Sequence, residues 1–262
     1  MNNKNKIGIF DSGLGGLSIL KELLFILPNE DYLFYEDSIN NPYGEKSDDE
    51  LFSITSNIVE YLLENNCKII VIACNTATTS CMKKLREKYK DTIFVGTVPA
   101  IKIAYDNNYK DTLVLATNYT INSKRVLDLI DTYNNSNQRI TLVSGNNLAN
   151  LIDKGDNKEI EALLLSILSS YKNADSLVLG CTHYSLIKNE IQKVLPNTVL
   201  LDGCVGVAKE VKHQLIANNL LSKSQSKGKI IIKNSKSEDL VNRSYDILNS
   251  WIIKKKNYII NH

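Results

Sequence analysis

The sequence predicts an α/β protein made of two similar parallel-sheet α/β domains. Three observations carry this. Apolar, β-branched runs of strand length alternate with stretches of helical period, the pattern of βαβ units. Two segments read as copies of each other: KIIVIACNTATTS, ending at Ser80, and SLVLGCTHYS, ending at Ser185. With 262 residues the chain has room for one large or two small domains with a sizeable core.

In chain order, strands are expected at 7–10, 33–35, 69–73, 94–97, 113–116, 140–144, 177–180, 198–201 and 230–233. Their unbroken Ile, Val and Leu content fits strands buried on both faces. Helical patterns fill 17–27, 49–65, 78–89, 123–131, 157–171 and 185–195. The polar stretch SKSQSKGK reads as a connector, and the segment after it as a last strand and a closing helix. The repeat places the division near residue 97. Residues 1–97 with 208–262 form a first domain bearing Cys74, and 98–207 a second bearing Cys181.

Composition removes several function classes. A net charge of +2, from 31 basic and 29 acidic residues, points to no nucleic-acid partner and no membrane surface. MNNKNK leads into a strand, so no signal peptide is expected, and no apolar run is long enough to span a bilayer. The five cysteines (67, 74, 81, 181, 204) are too scattered for a disulfide framework, so a reducing cytoplasm is the simplest compartment.

Chemistry concentrates at strand ends, where ligand sites form in open α/β sheets. IGIFDSGLGG puts Asp11 and Ser12 after the first strand, before a glycine-rich turn. The glycines allow a tight turn, and the spacing is not that of a dinucleotide site. Asp11 and Ser12 either serve a ligand or cap the following helix. The corresponding strand of the second half leads into Thr117 and Thr120. DSINNPYGEKS is a turn-rich loop in which Tyr43 can close over a ligand and Gly44 can let the backbone approach it. ACNTATT sets Cys74, Asn75 and Thr76 at a helix start, where the dipole is expected to favour the thiolate. Asn75 and Thr76 can donate to a carboxylate. GCTHY repeats the arrangement with Cys181, Thr182 and His183. Cys67, Cys81 and Cys204 have no such setting. None of Arg86, Arg125, Arg139 and Arg243 lies in a motif, so carboxylates are expected to be held by backbone N–H groups and hydroxyls.

DSGLGG, PYG, ACNTAT and GCTHY, in that order over nearly the whole chain, resemble the glutamate racemases of the aspartate/glutamate racemase superfamily. The resemblance implies two domains related by a pseudo-two-fold with the site in the cleft between them. It implies catalysis without cofactor or metal, by two cysteines on opposite faces of the substrate α-carbon: Cys74 takes the proton from D-glutamate and Cys181 from L-glutamate. Asp11 and His183 would assist them. Asp11–Ser12, Tyr43–Gly44, Asn75–Thr76 and Thr182–His183 would bind substrate, with Thr117 and Thr120 in the second half. The product would be D-glutamate for peptidoglycan, and the assembly a homodimer. Three positions depart from the pattern: Asp153 stands where the family often has Glu, Ala116 replaces a glycine, and TVPA lacks an acid. A shorter acid at 153 is expected to reach less far, which weakens its auxiliary role.

Other readings remain open on the residues alone. The substrate could be another acidic amino acid such as aspartate. Cys74 could be the nucleophile of a hydrolase or transferase with His183 as base. Cys74, Cys181 and His183 could hold zinc. The fold could also serve as a binding protein.

Overall fold

The computed structural model describes residues 5–133 and 138–260. Among these residues nine strands form two sheets in which every pairing is parallel. The first contains β1 (Lys6–Asp11), β2 (Asp31–Glu36), β3 (Cys67–Ile72), β4 (Phe94–Gly96) and β9 (Ile230–Asn234), in the order β4-β3-β1-β2-β9. The second contains β5 (Asp111–Ala116), β6 (Arg139–Ser144), β7 (Ser176–Leu179) and β8 (Val199–Leu201), in the order β6-β5-β7-β8. Read from the other edge, the second order is β8-β7-β5-β6. It matches β4-β3-β1-β2 strand for strand, so the duplicated motifs sit in duplicated positions.

That order places the site. In each half the chain winds outward in both directions from the central pair, β1/β3 and β5/β7. The loops at the carboxyl ends of such a pair diverge and leave a crevice. Asp11 ends β1 and Cys74 comes after β3, while Thr117 comes after β5 and Cys181 after β7.

Alternation along the strands builds the core on both sheet faces. Ile7, Ile9, Ile69 and Val71 pack with helices Leu17–Ile26 and Cys204–Ala217; Phe10, Ile70 and Ile72 pack with helices Asp48–Glu64 and Asn75–Lys88. In the second sheet Leu113, Leu115, Leu177 and Leu179 share one cluster, and Val114 and Val178 another. Burying each such side chain contributes about 1.5–3 kcal/mol. Cys204 and Val207 join the first-sheet core, and Cys81 packs in the cluster beneath helix Asp48–Glu64.

The structure shifts two expected boundaries that bear on the site. The helix after β3 begins at Asn75 rather than at 78, so Cys74 is its N-cap residue. After β7 the chain makes a 3₁₀ turn, Thr182–Ile187, before helix Lys188–Val194, so the two cysteine loops are not conformational copies. A short helix, Leu148–Lys154, ends in Gly155 with φ +75° and carries Asp153 near its last turn. The closing helix runs Glu238–Ile260. Among the described residues no helix is long and apolar enough to cross a membrane.

Candidate active site

The loops of both crevices meet around one small cavity of about 30 Å³. Of the residues singled out in the sequence, Ser12, Tyr43, Gly44, Cys74, Asn75, Thr76, Thr117, Cys181, Thr182 and His183 line it. Asp11, Thr120 and Asp153 stand directly behind this wall. Asn41, Pro42, Ala149 and Gly180 complete it; Pro42 and Gly180 lie inside PYG and GCTHY without having been singled out, and Ala149 lies in no motif. A larger groove of about 850 Å³ lies between helices Asn75–Lys88 and Lys124–Tyr133, but neither Cys74 nor Cys181 lines it.

The glycines of DSGLGG are there for close packing. A Cβ on Gly15 would stand 2.5 Å from the backbone nitrogen of His183, and one on Gly13 2.5 Å from the Asp153 carboxylate. The turn of the first half therefore lies flat against the second-half residues of the site. Asp11 and Ser12 do not cap the next helix: its N-cap is Gly16, with no side-chain hydrogen bond. Instead one Asp11 oxygen accepts from Ser12 N–H at 2.8 Å, and the other accepts from the Thr182 hydroxyl across the halves at 3.0 Å. Burial pushes the Asp11 carboxyl up to about 6, against the lowering pull of His183 and these hydrogen bonds.

The thiol of Cys74 contradicts the expectation of a favoured thiolate. Its pKa lies well above the ordinary range, first because it is buried and second because it faces Asp11. The backbone N–H of Ala77, in the first turn of the helix, pulls the other way and loses.

Around Cys181 the partners differ. Its sulfur lies 3.7 Å from His183 Nδ1. His183 Nε2 faces both Asp153 oxygens, at 3.0 and 3.1 Å. Burial opposes a charge on the imidazole, but the Asp153 carboxylate and Cys181 outweigh it and raise the His183 pKa well above its usual value. Asp153 therefore does reach the site. Its carboxylate also accepts from Asn41 Nδ2 at 2.6 Å and from Leu14 N–H at 3.3 Å, so it touches the glycine turn of the first half as well as His183.

The remaining groups set the walls. Tyr43 is buried and its hydroxyl donates to Asp37 at 2.7 Å, which fixes the ring. At Gly44 a Cβ would meet only ordinary contacts, so the protein's own atoms do not require glycine there. The hydroxyl of Thr76 lies 3.3 Å from those of Thr117 and Thr120, which are themselves 3.0 Å apart, a hydroxyl triangle joining the halves. Asn75 lines the cavity, and its buried Oδ1 has no hydrogen-bond partner among the described residues. A buried acceptor left unpaired costs about 1–3 kcal/mol, so a ligand donor at this point would recover it. Cys74, Cys181 and His183 do not form a zinc set: among the described residues no group of three or more His, Cys, Asp or Glu side chains could hold a metal ion.

The sequence matches the family model described as Asp/Glu/Hydantoin racemase over residues 30–211, more than half of the chain. The chain belongs to this racemase family. It is 40% identical to a glutamate racemase of Clostridium botulinum (strain Alaska E43 / Type E3) over 258 residues, covering 95% of this chain and 100% of that protein. It is 41% identical to the glutamate racemase of Clostridium novyi over 254 residues, 94% and 97% of the two chains. Its fold matches the crystal structure of glutamate racemase from Francisella tularensis in complex with D-glutamate, with TM-score 0.80 and 29% identity over 95% of each chain. It also matches the Escherichia coli glutamate racemase in complex with L-glutamate and an activator, with TM-score 0.81 and 28% identity over 94% and 95% of the chains. The two-sheet architecture of this racemase is thus that of its structural relatives.

Proposed function

We propose that this racemase interconverts L- and D-glutamate by proton transfer at the α-carbon, with Cys74 and Cys181 on opposite faces. The observation that carries it is the pair of thiols, one from each half, walling one cavity with different partners behind them. Glutamate is preferred to aspartate because relatives at about 40% identity are glutamate racemases.

A free amino acid holds its α-proton tightly, so the site itself must stabilise the carbanion by hydrogen bonds and charge. With L-glutamate bound, the Cys181 thiolate takes the α-proton and becomes a thiol. The carbanion then takes a proton from the Cys74 thiol, which is left as thiolate, and the product is D-glutamate. Cys74 suits the donor role because burial and Asp11 keep it protonated. An imidazolium at His183 can hydrogen-bond to the Cys181 sulfur. Asn75 Oδ1 would accept from the substrate ammonium, and Ser12, Thr76, Thr117 and Thr182 would donate to the carboxylates. No pyridoxal, dinucleotide or metal enters this scheme. At about 30 Å³ the cavity is too small for glutamate as it stands, so its wall must open to admit substrate.

We assign residues 1–97 and 204–262 to the Cys74 side and 98–203 to the Cys181 side, moving the boundary expected at 208 back to the start of helix Cys204–Ala217, which packs on the first sheet, with a homodimer as the expected assembly. The cellular role would be D-glutamate supply for peptidoglycan in the cytoplasm. The reading is tested by incubating pure protein with L-glutamate in deuterated water without added cofactor. The optical signal should decay to zero while deuterium enters the α-position. An unchanged signal, or decay only with added pyridoxal phosphate or only with L-aspartate, would contradict it.

A further inference from the structure

Arg243 belongs to no motif and lies 90 residues beyond Asp153, yet it reaches the Cys181 side. It sits on the closing helix, Glu238–Ile260, next to Ser244. The Ser244 hydroxyl donates to Glu36 Oε1 at 2.6 Å, pinning this part of the helix to the end of β2 in the first sheet. From there the Arg243 guanidinium crosses to the second half. Nη1 donates to the backbone oxygen of Asp153, and Nη2 donates to that of Ile152 at 3.3 Å. These carbonyls belong to the last turn of helix Leu148–Lys154, whose C-cap is Gly155. The last carbonyls of a helix have no partner within it and carry the negative end of its dipole, so a guanidinium is well matched to them. A Cβ on Gly155 would lie only 3.4 Å from Nη2, so the guanidinium packs close against the cap.

We propose that Arg243 is a positioning residue for the Cys181 side. By gripping the carbonyls that end helix Leu148–Lys154 it fixes where Asp153 stands, and through Asp153 the His183 ring that faces Cys181. The side chain of Asp153 points one way, to His183, Asn41 and Leu14; its backbone points the other way, to Arg243. Asp153 is thus held from both ends by groups of the first sheet's side. Without the guanidinium Asp153 is held from its side-chain end and the Gly155 cap alone, and a drift of about 1 Å in a catalytic group can cost a hundredfold in rate. The proposal rests on the reading of Cys181 as an acid–base group.

The test compares Arg243→Met, which removes charge and donors, with Arg243→Lys, which returns a charge. Arg243→Met should melt as a folded protein and lose about ten- to a hundredfold in kcat, with KM little changed. Slowing only the Cys181 step has a signature that a structural role lacks. The deuterium isotope effect with α-deuterated L-glutamate should rise, and that with α-deuterated D-glutamate should fall toward one. Arg243→Lys should show the same asymmetry more weakly, and it carries the test if Arg243→Met does not fold. Adding Arg243→Met to Asp153→Ala should cost little more than Asp153→Ala alone. Isotope effects that change equally for both enantiomers, a kcat equal to wild type, or full additivity with Asp153→Ala would overturn the proposal. Full racemisation by Cys181→Ser would instead remove the reading on which it rests.

Discussion

The two cysteine loops extend from equivalent strands of duplicated sheets, yet they carry opposite electrostatics. Behind Cys74 stands a buried carboxyl, Asp11, and the thiol is pushed toward its protonated form. Behind Cys181 stands the His183–Asp153 pair, and the imidazole is pushed toward its charged form. Duplication supplies matching positions on two faces of a ligand. The backbone just beyond each cysteine then sets the difference: an α-helix begins at Asn75, whereas a 3₁₀ turn from Thr182 swings His183 back beside its own thiol. A racemase with two acid–base groups needs one protonated while the other is not, and this asymmetry is a way to hold that state.

The comparison breaks most visibly if a thiol is removed. Cys74→Ser and Cys181→Ser should each lose racemisation by about a hundred- to ten-thousand-fold, the scale of a general acid–base group. A stopped polarimetric assay reads this directly, and near-normal turnover in either variant would end the two-thiol account.

Removing the group behind Cys74 should cost less. Asp11→Asn deletes the carboxylate while keeping its size, and turnover should fall by about a hundredfold. The pH profile sharpens the point. In wild type Asp11 ionises as pH rises through about 6. A limb of kcat/KM near that pH should be present in wild type and absent in Asp11→Asn. A limb unchanged by the substitution would assign it to another group.

Binding groups should matter less again. Replacing Thr76 or Thr182 by Ala should weaken glutamate binding by about 1.5–3 kcal/mol, the scale of a hydrogen bond to a charged group. Thr182→Ala should show the smaller loss, because its single hydroxyl proton must leave Asp11 before it can be donated to substrate. Unchanged KM and kcat in both variants would remove these hydroxyls from the substrate contacts.

The smallest effect concerns stability. Burial raises the Glu36 carboxyl from 4.5 to about 7, with Ser244 and Asn234 pulling it down. A raised folded-state pKa means that its stabilisation is complete below about 4.5 and is lost as pH rises through about 7. Glu36→Gln has no such window. Its melting temperature relative to wild type should therefore improve between about pH 5 and pH 8, by on the order of 2 kcal/mol in stability. A constant difference across that range would show that Glu36 does not titrate there.

Most of the scaffold was legible because buried parallel strands need short, unbroken β-branched runs, and nine such runs are present. Their ends move by only one or two residues, since side-chain pattern says little about the last hydrogen bond of a ladder. Helix Leu148–Lys154 was not legible: at two turns it is too short to show a period. The cysteines, the hydroxyls around them and His183 could be found through the repeat. Asn41 and Asp37 could not, because a turn-rich stretch does not say which of its side chains points inward. The thiolate expected at Cys74 failed for a related reason. A helix start is a local property visible in sequence, whereas burial and the approach of Asp11 arise only when β1 and β3 lie side by side. Arg243 acts on backbone carbonyls, which leave no residue-type signature at 152 and 153.

The central claim, that each thiol serves one face of the α-carbon, is tested most directly with Cys74→Ser and Cys181→Ser. The substrates are the two enantiomers of a glutamate analogue with a leaving group at the β-carbon. Elimination needs only the thiol that removes the α-proton. Cys74→Ser, which keeps Cys181, should eliminate from the L-enantiomer alone, and Cys181→Ser, which keeps Cys74, from the D-enantiomer alone. The same enantiomer preference in both variants, or equal loss with both enantiomers, would contradict the two-faced arrangement.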